Sequence, residues 1–107
     1  MKKGIAQVTH DGVTTGSSVK LNMGPFNALL VHHYITGATS GGHVSLKMSN
    51  LADGQFVEHH GDGTNIKSAD TDTSYTALFK GLMDHVEITL NRTDGTHHVI
   101  CQPLVLG

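Results

Sequence analysis

The chain has 107 residues, a length typical of one small domain. Hydrophobic residues make up 37% of the sequence and charged residues 15%, and both fractions are low for a globular domain. The formal net charge is −2 with the histidines neutral, and Lys2 and Lys3 form the one adjacent basic pair. Because a nucleic-acid-binding protein carries a basic stripe, this charge distribution argues against a nucleic acid partner.

The single cysteine and the first residues bear on the compartment in which the chain folds. Cys101 is the one cysteine, so no internal disulfide can form. No apolar stretch of the kind found in signal peptides follows Lys3. The longest apolar run, residues 28–31, is too short to span a membrane. We therefore expect synthesis in a reducing host cytoplasm and no membrane partner.

Residues 1–17 are polar and rich in Gly and Thr, and we predict that they form an N-terminal arm or edge strand. Asp11-Gly12 is predicted to be a turn. Such an arm could reach a neighbouring subunit and become ordered on assembly. The candidate interface residues of this arm are Lys2, Lys3, Ile5, Val8 and His10.

Residues 18–107 are predicted to form the β-sandwich domain, and their first half alternates polar and apolar side chains. The alternation over residues 18–23 predicts a half-buried strand. Residues 26–35 are the most apolar stretch, which predicts a central strand. Residues 43–51 alternate again, which places Val44, Leu46 and Met48 toward the core.

The second half of the chain continues the strand pattern. Residues 74–79 are predicted to form a strand, although a short helix is also compatible with the residues up to Met83. Residues 85–92 and 97–102 flank Asp94-Gly95 and predict a hairpin. Pro103 is expected to limit the last strand to a sheet edge or a bulge. The whole pattern predicts an all-β fold, a single antiparallel jelly-roll-like β-sandwich of seven to nine short strands.

Nine histidines raise the question of a metal site. Six of them form adjacent pairs at positions 32–33, 59–60 and 97–98. Neighbours on a strand point to opposite faces, so one pair alone cannot chelate a metal. Three interpretations remain open: one member of each pair lies in a polar inner layer or subunit contact, a pH-responsive contact forms, or separate strands assemble a metal site, for example from His33, His85 and His98.

The sequence contains no motif that predicts catalysis. The Gly-x-Ser-x-Gly nucleophile pattern and the calcium-loop pattern are both missing. Glu58 and Glu87 are the two glutamates, each at an outward strand position, and Cys101 is predicted to be a buried thiol. We therefore expect no enzymatic activity, no catalytic residues, no cofactor and no bound metal.

Two segments carry a resemblance to a known group of proteins. Residues 43–58 read His-Val-Ser-Leu-Lys-Met-Ser-Asn-Leu-Ala-Asp-Gly-Gln-Phe-Val-Glu, and residues 81–96 read Gly-Leu-Met-Asp-His-Val-Glu-Ile-Thr-Leu-Asn-Arg-Thr-Asp-Gly-Thr. With their hairpin and Gly-Thr turn, residues 18–106 resemble the small β-sandwich and jelly-roll structural proteins of tailed bacteriophages, of the head decoration (cement) type. The resemblance implies a structural role and supplies no catalytic residues to match.

The expected function is therefore that of a virion structural protein on the capsid surface. Its expected partners are the major capsid protein and copies of itself, as a trimer, with the protein stabilising the shell by bridging capsid subunits. One alternative is a tail, fibre or receptor- and glycan-binding module that uses the loops at residues 37–42 and 60–65. A second alternative is a small cupin-like metal protein, although the cupin pattern Gly-x5-His-x-His is missing.

Overall fold

The computed structural model describes residues 2–38, 41–58 and 75–106. Over these residues the backbone forms nine β-strands and no helix. The described residues accordingly contain no helix that could cross a membrane. The predicted all-β fold is confirmed, and the alternative of a short helix after residue 74 is wrong for the part described, because residues 75–80 pair as a strand.

The strands form two antiparallel sheets. Sheet A contains β1 (Lys2–Lys3), β2 (Gln7–Val13), β9 (Thr96–Val105), β4 (Ala28–Thr36) and β7 (Tyr75–Lys80). Sheet B contains β3 (Ser17–Asn22), β8 (His85–Arg92), β5 (Gly42–Ser49) and β6 (Val57–Glu58). Strands β1 and β2 pair with successive parts of β9, and β4 lies between β9 and β7.

The strand order identifies the topology. Strands β2 to β9 form two four-stranded sheets with the orders β2-β9-β4-β7 and β3-β8-β5-β6. Consecutive strands therefore often lie in opposite sheets, which is the arrangement of a jelly roll. This confirms the predicted single antiparallel β-sandwich of jelly-roll type.

The core lies between the two sheets and follows the predicted alternation. Val86, Ile88 and Leu90 of β8 are all buried, and so are Ala77 and Phe79 of β7. The free thiol of Cys101 also lies in this core, where burial raises its pKa to about 12. A thiol with that pKa is almost entirely protonated at neutral pH and is a poor nucleophile.

The N-terminal segment is an edge strand of the chain's own sheet. Lys2 pairs with Val105, and Gln7 pairs with Cys101. Strands β1 and β2 are thus paired with β9 within one chain. The pairing places β2 along the outer side of β9, at the edge of sheet A.

The predicted turn at Asp11-Gly12 is wrong. Both residues lie inside β2, where the register with β9 shifts between His10 and Val13. Gly12 has φ of +63° and donates its backbone N–H to Nδ1 of His98 over 3.1 Å. The Asp-Gly pair therefore forms a β-bulge, which uses the same left-handed backbone conformation as a turn but keeps the strand going.

The expectation for Pro103 is also wrong. Strand β9 continues to Val105 with partners on both sides. The Pro103 carbonyl accepts a hydrogen bond from the Gly4 N–H, 2.8 Å away, in the break between β1 and β2. The backbone nitrogen and carbonyl of one strand residue point to the same side of the strand. The Pro103 nitrogen, which carries no proton, therefore also faces the break between β1 and β2. An interior strand tolerates proline here because no ladder bond is lost.

Candidate functional site

The outer face of sheet A is unusually apolar. Residues directly opposite each other in antiparallel strands have side chains on the same face, so the register defines the outward rows. Three neighbouring rows are Val8–Ile100–His32–Thr76, Gln102–Leu30–Leu78 and Tyr34–His98. The nine residues of these three rows are called the apolar face below. The next row, Lys3–Leu104–Ala28–Lys80, borders the apolar face with an exposed lysine at each end.

Several large side chains of the apolar face remain exposed. Val8 is 57% exposed, Tyr34 47% and Leu30 36%, while Leu78 and Ile100 are half-buried. The ring of Tyr34 packs against the ring of His98, with centroids 5.6 Å apart. The three rows contain no Lys, Arg, Asp or Glu. Contiguous exposed apolar side chains of this kind mark surfaces that bind other molecules.

The outer face of sheet B has the opposite character. Its outward rows include Ser18–Thr89–Ser45 and Lys20–Glu87–Lys47, and these six residues are called the polar face below. The hydroxyls of Ser18 and Thr89 are hydrogen-bonded at 2.8 Å. The outer face of sheet B is therefore more polar than the apolar face of sheet A.

The sequence prediction missed this difference between the faces, although a signal for it was present. A strand with one face in water alternates polar and apolar residues, whereas a strand covered on both faces is continuously apolar. Residues 28–31 of β4 are continuously apolar. That run indicates a strand whose outward side chains are apolar as well as its inward ones.

The candidate interface residues of the N-terminal segment fall in different environments. Lys2 and Lys3 are exposed on β1, and Ile5 is 85% exposed between β1 and β2. Val8 belongs to the apolar face. His10, by contrast, is 2% exposed, because the inward side of β2 turns its ring into the sandwich. It is therefore an interior residue of the single chain.

Two of the three histidine pairs follow the first interpretation. His33 and His97 are both 0% exposed, whereas their neighbours His32 and His98 lie on the outer face. The pair at positions 59–60 lies outside the described residues. Together with His10, the two buried rings form the histidine cluster, which lies on the inner face of sheet A.

The hydrogen bonds of the histidine cluster are compatible with neutral rings. The Asp94 carbonyl can accept only, so Nε2 of His97 donates to it over 2.7 Å. In a neutral His97 ring, Nδ1 is then an acceptor, and Nε2 of His33 donates to it over 2.8 Å. His10 donates from Nε2 to the Ser17 carbonyl over 3.1 Å. All three bonds are satisfied by neutral rings.

Burial and neighbouring rings oppose protonation of the histidine cluster. Burial, followed by the field of His97, lowers the pKa of His33 to about 4. Burial also lowers the pKa of His10, although the hydrogen bond to Ser17 partly offsets it. Removing a charged ring from water disfavours the charged form.

The predicted metal alternative does not match the geometry. His33 contacts His97, whereas His85 lies on sheet B and His98 on the outer face of sheet A. The example set His33, His85 and His98 is therefore wrong. Among the residues that the structure describes, no three His, Cys, Asp or Glu side chains are grouped so as to hold a metal.

Comparisons with protein families, with curated proteins and with solved structures differ in their outcome. No protein-family model matches the chain, and no curated protein matches its sequence. Among solved structures, the fold is similar to the crystal structure of the SPBc2 prophage-derived protein YomS, with a TM-score of 0.68 and 16% identity. The similarity covers 95% of this chain and 92% of the YomS chain. It shows a fold shared with a phage-derived protein.

Proposed function

We propose that this chain is a non-enzymatic structural protein of a virus particle, a capsid decoration (cement) protein that stabilises the shell by bridging capsid subunits. The observation that carries the proposal is the apolar face. Exposed apolar patches mark surfaces that bind other molecules. Because only one of the two outer faces is apolar, we place the contact with the shell on that face. The fold shared with a prophage-derived protein supports a phage setting.

The binding mode follows from the two faces. The apolar face packs on the major capsid protein, which buries Val8, Leu30 and Tyr34 and removes their exposed area from water. The polar face then points to solvent on the outside of the particle. Copies of the chain meet as a trimer where the shell has local threefold symmetry, with the exposed Ile5 beside the contact.

A pair of matched variants tests this binding mode. Leu30→Glu places a carboxylate in the apolar face, and Ser18→Glu places the same group on the exposed polar face. Burial of an unpaired charge costs more than about 1.4 kcal/mol, so Leu30→Glu should bind purified heads at least tenfold more weakly. The measurement is co-sedimentation with heads that lack the protein, made by the genome that encodes it.

The control and the contrary results are defined in the same assay. Ser18→Glu should bind heads as the unchanged chain does, and circular dichroism should show that both variants are folded. Equal binding by the two variants would contradict the assigned face. Binding of the unchanged chain to tails and not to heads would favour a tail or fibre module instead.

A further inference from the structure

We propose that His32 makes docking of the apolar face depend on pH: the face binds an uncharged, apolar surface of the shell while this imidazole is neutral, and mild acid releases the protein. The regulation rests on the proposed function, because it concerns the same contact with the shell. Its basis is the position of one exposed imidazole in the middle of the surface that the contact would cover.

His32 lies at the centre of the apolar face. Strand β4 is an interior strand of sheet A, between β9 and β7, and the register places Ile100 on one side of His32 and Thr76 on the other. Leu30 and Tyr34, two positions away along β4, have their side chains on the same face, and all three side chains are exposed. A partner that covers Leu30 and Tyr34 therefore also covers His32.

The described side chains around His32 include no carboxylate. On the two flanking strands, the opposite and diagonal neighbours of His32 are Ile100, Gln102, His98, Thr76 and Leu78. The titratable groups that face His32 are therefore His98 on β9 and Tyr34 on β4 itself. The charged groups of the border row, Lys3 and Lys80, are cations two rows away. In the described part of the chain, a proton on His32 thus meets no anion of the apolar face.

His98, the other imidazole of the apolar face, has a different environment. Its Nδ1 accepts the Gly12 N–H over 3.1 Å and lies 3.5 Å from Oδ1 of Asp11. A proton on Nδ1 would replace the hydrogen bond from Gly12 with an ion pair to Asp11. Because a carboxylate of the chain can offset a charge on His98, His32 is the imidazole whose charge opposes docking.

The surface that covers His32 is inferred to be apolar from what surrounds the ring. A carboxylate of the shell placed opposite His32 would also be buried against Leu30, Ile100 and Tyr34, and burying a charge among apolar side chains is costly. An apolar partner surface instead gains from the burial of these side chains. Docking on such a surface removes His32 from water without an opposite charge, so the docked ring must be neutral.

The size of the pH effect follows from proton linkage. An exposed imidazole ordinarily changes its charge between pH 5 and pH 8. A protonated ring must lose its proton before the face can dock, which lowers the fraction of chains that are competent to bind. For one imidazole of ordinary proton affinity, the Kd is about tenfold higher at pH 5.5 than at pH 7.5.

Co-sedimentation with purified heads that lack the protein measures the Kd at both pH values. The unchanged chain should bind about tenfold more weakly at pH 5.5 than at pH 7.5. Equal binding at the two pH values would overturn the inference, and so would tighter binding in acid, which would place a carboxylate of the shell opposite His32. Absence of binding at pH 7.5 would refute the proposed function itself, and the inference with it.

Two neutral replacements attribute the response to His32. In His32→Gln and His32→Leu, the ratio of the Kd at pH 5.5 to the Kd at pH 7.5 should stay below about threefold, whatever the affinity at pH 7.5. An acid-induced change of the heads, or a loss of stability of the chain, would act on these variants as well. His85→Gln, on β8 in the other sheet, should keep the full ratio. A tenfold ratio in both His32 variants would contradict the role of His32.

Discussion

Two imidazoles share one hydrogen bond inside the sandwich, and this makes the stability of the chain depend on pH. The pKa of His33 is about 4 in the folded chain and 6.5 when the ring is exposed. Between these values the unfolded chain binds a proton that the folded chain does not. The free energy of unfolding therefore rises with pH across this window and is lost as pH falls.

We predict that the chain loses roughly 3 kcal/mol of stability between pH 7.5 and pH 4 through His33. Urea unfolding followed by circular dichroism at several pH values measures this loss. His85→Gln, a change on β8 in the other sheet, should show the same slope as the unchanged chain. A free energy of unfolding that stays constant between pH 6.5 and pH 4 would contradict the burial of His33 as a neutral ring.

At the residue scale, the sequence predicted part of the histidine arrangement. Alternation along a strand requires that one member of each adjacent pair point inward, and the pairs at 32–33 and 97–98 do so. Alternation does not tell which rings meet. His33 and His97 are 64 positions apart, and their contact depends on β4 and β9 being neighbours.

At the element scale, the turn at Asp94-Gly95 was predicted at the right position, and Gly95 has φ of +85°. The predicted hairpin is wrong, because β8 pairs with β3 and β5 in sheet B whereas β9 pairs with β2 and β4 in sheet A. In a jelly roll this turn carries the chain from one sheet to the other. Asp11-Gly12 carries the same pair of residues but forms a bulge. The difference lies in the partner: β9, 86 positions away, supplies His98 as an acceptor for Gly12, and local sequence gives no sign of it.

Substitution of Gly95 should destabilise the chain more than substitution of Gly24. A Cβ there would lie 2.6 Å from the Cβ of Ala38, in addition to the strain of φ at +85°. We predict that Gly95→Ala lowers the free energy of unfolding by about 2–3 kcal/mol. Gly24→Ala is the matched control, because φ is +57° there with no atom within 4 Å.

The comparison between these two glycines separates strain from collision. Gly24→Ala should cost only about 1 kcal/mol, since it adds backbone strain and no contact. Thermal or urea unfolding of both variants measures the difference. Equal losses in the free energy of unfolding would mean that the turn after β8 can shift to accommodate the added methyl group. The contact with Ala38 would then not fix the position of the turn.

At the scale of the whole molecule, the fold class could be predicted because alternation reports the inner face directly. The strand order could not, since β2 pairs with β9 at the far end of the chain. The difference between the two outer faces depends on that order as well. Val8, Leu30 and Tyr34 become one surface only when β2, β9 and β4 lie side by side.

The apolar face is the basis for the account of this molecule as a shell-binding protein. Cryo-electron microscopy of heads, made by the genome that encodes the chain, tests it most directly. The account predicts jelly-roll densities on the outside of the shell, in clusters of three, with Leu30 and Tyr34 toward the capsid and Ser18 toward solvent. Heads without such density, or density with the Ser18 side against the shell, would contradict it.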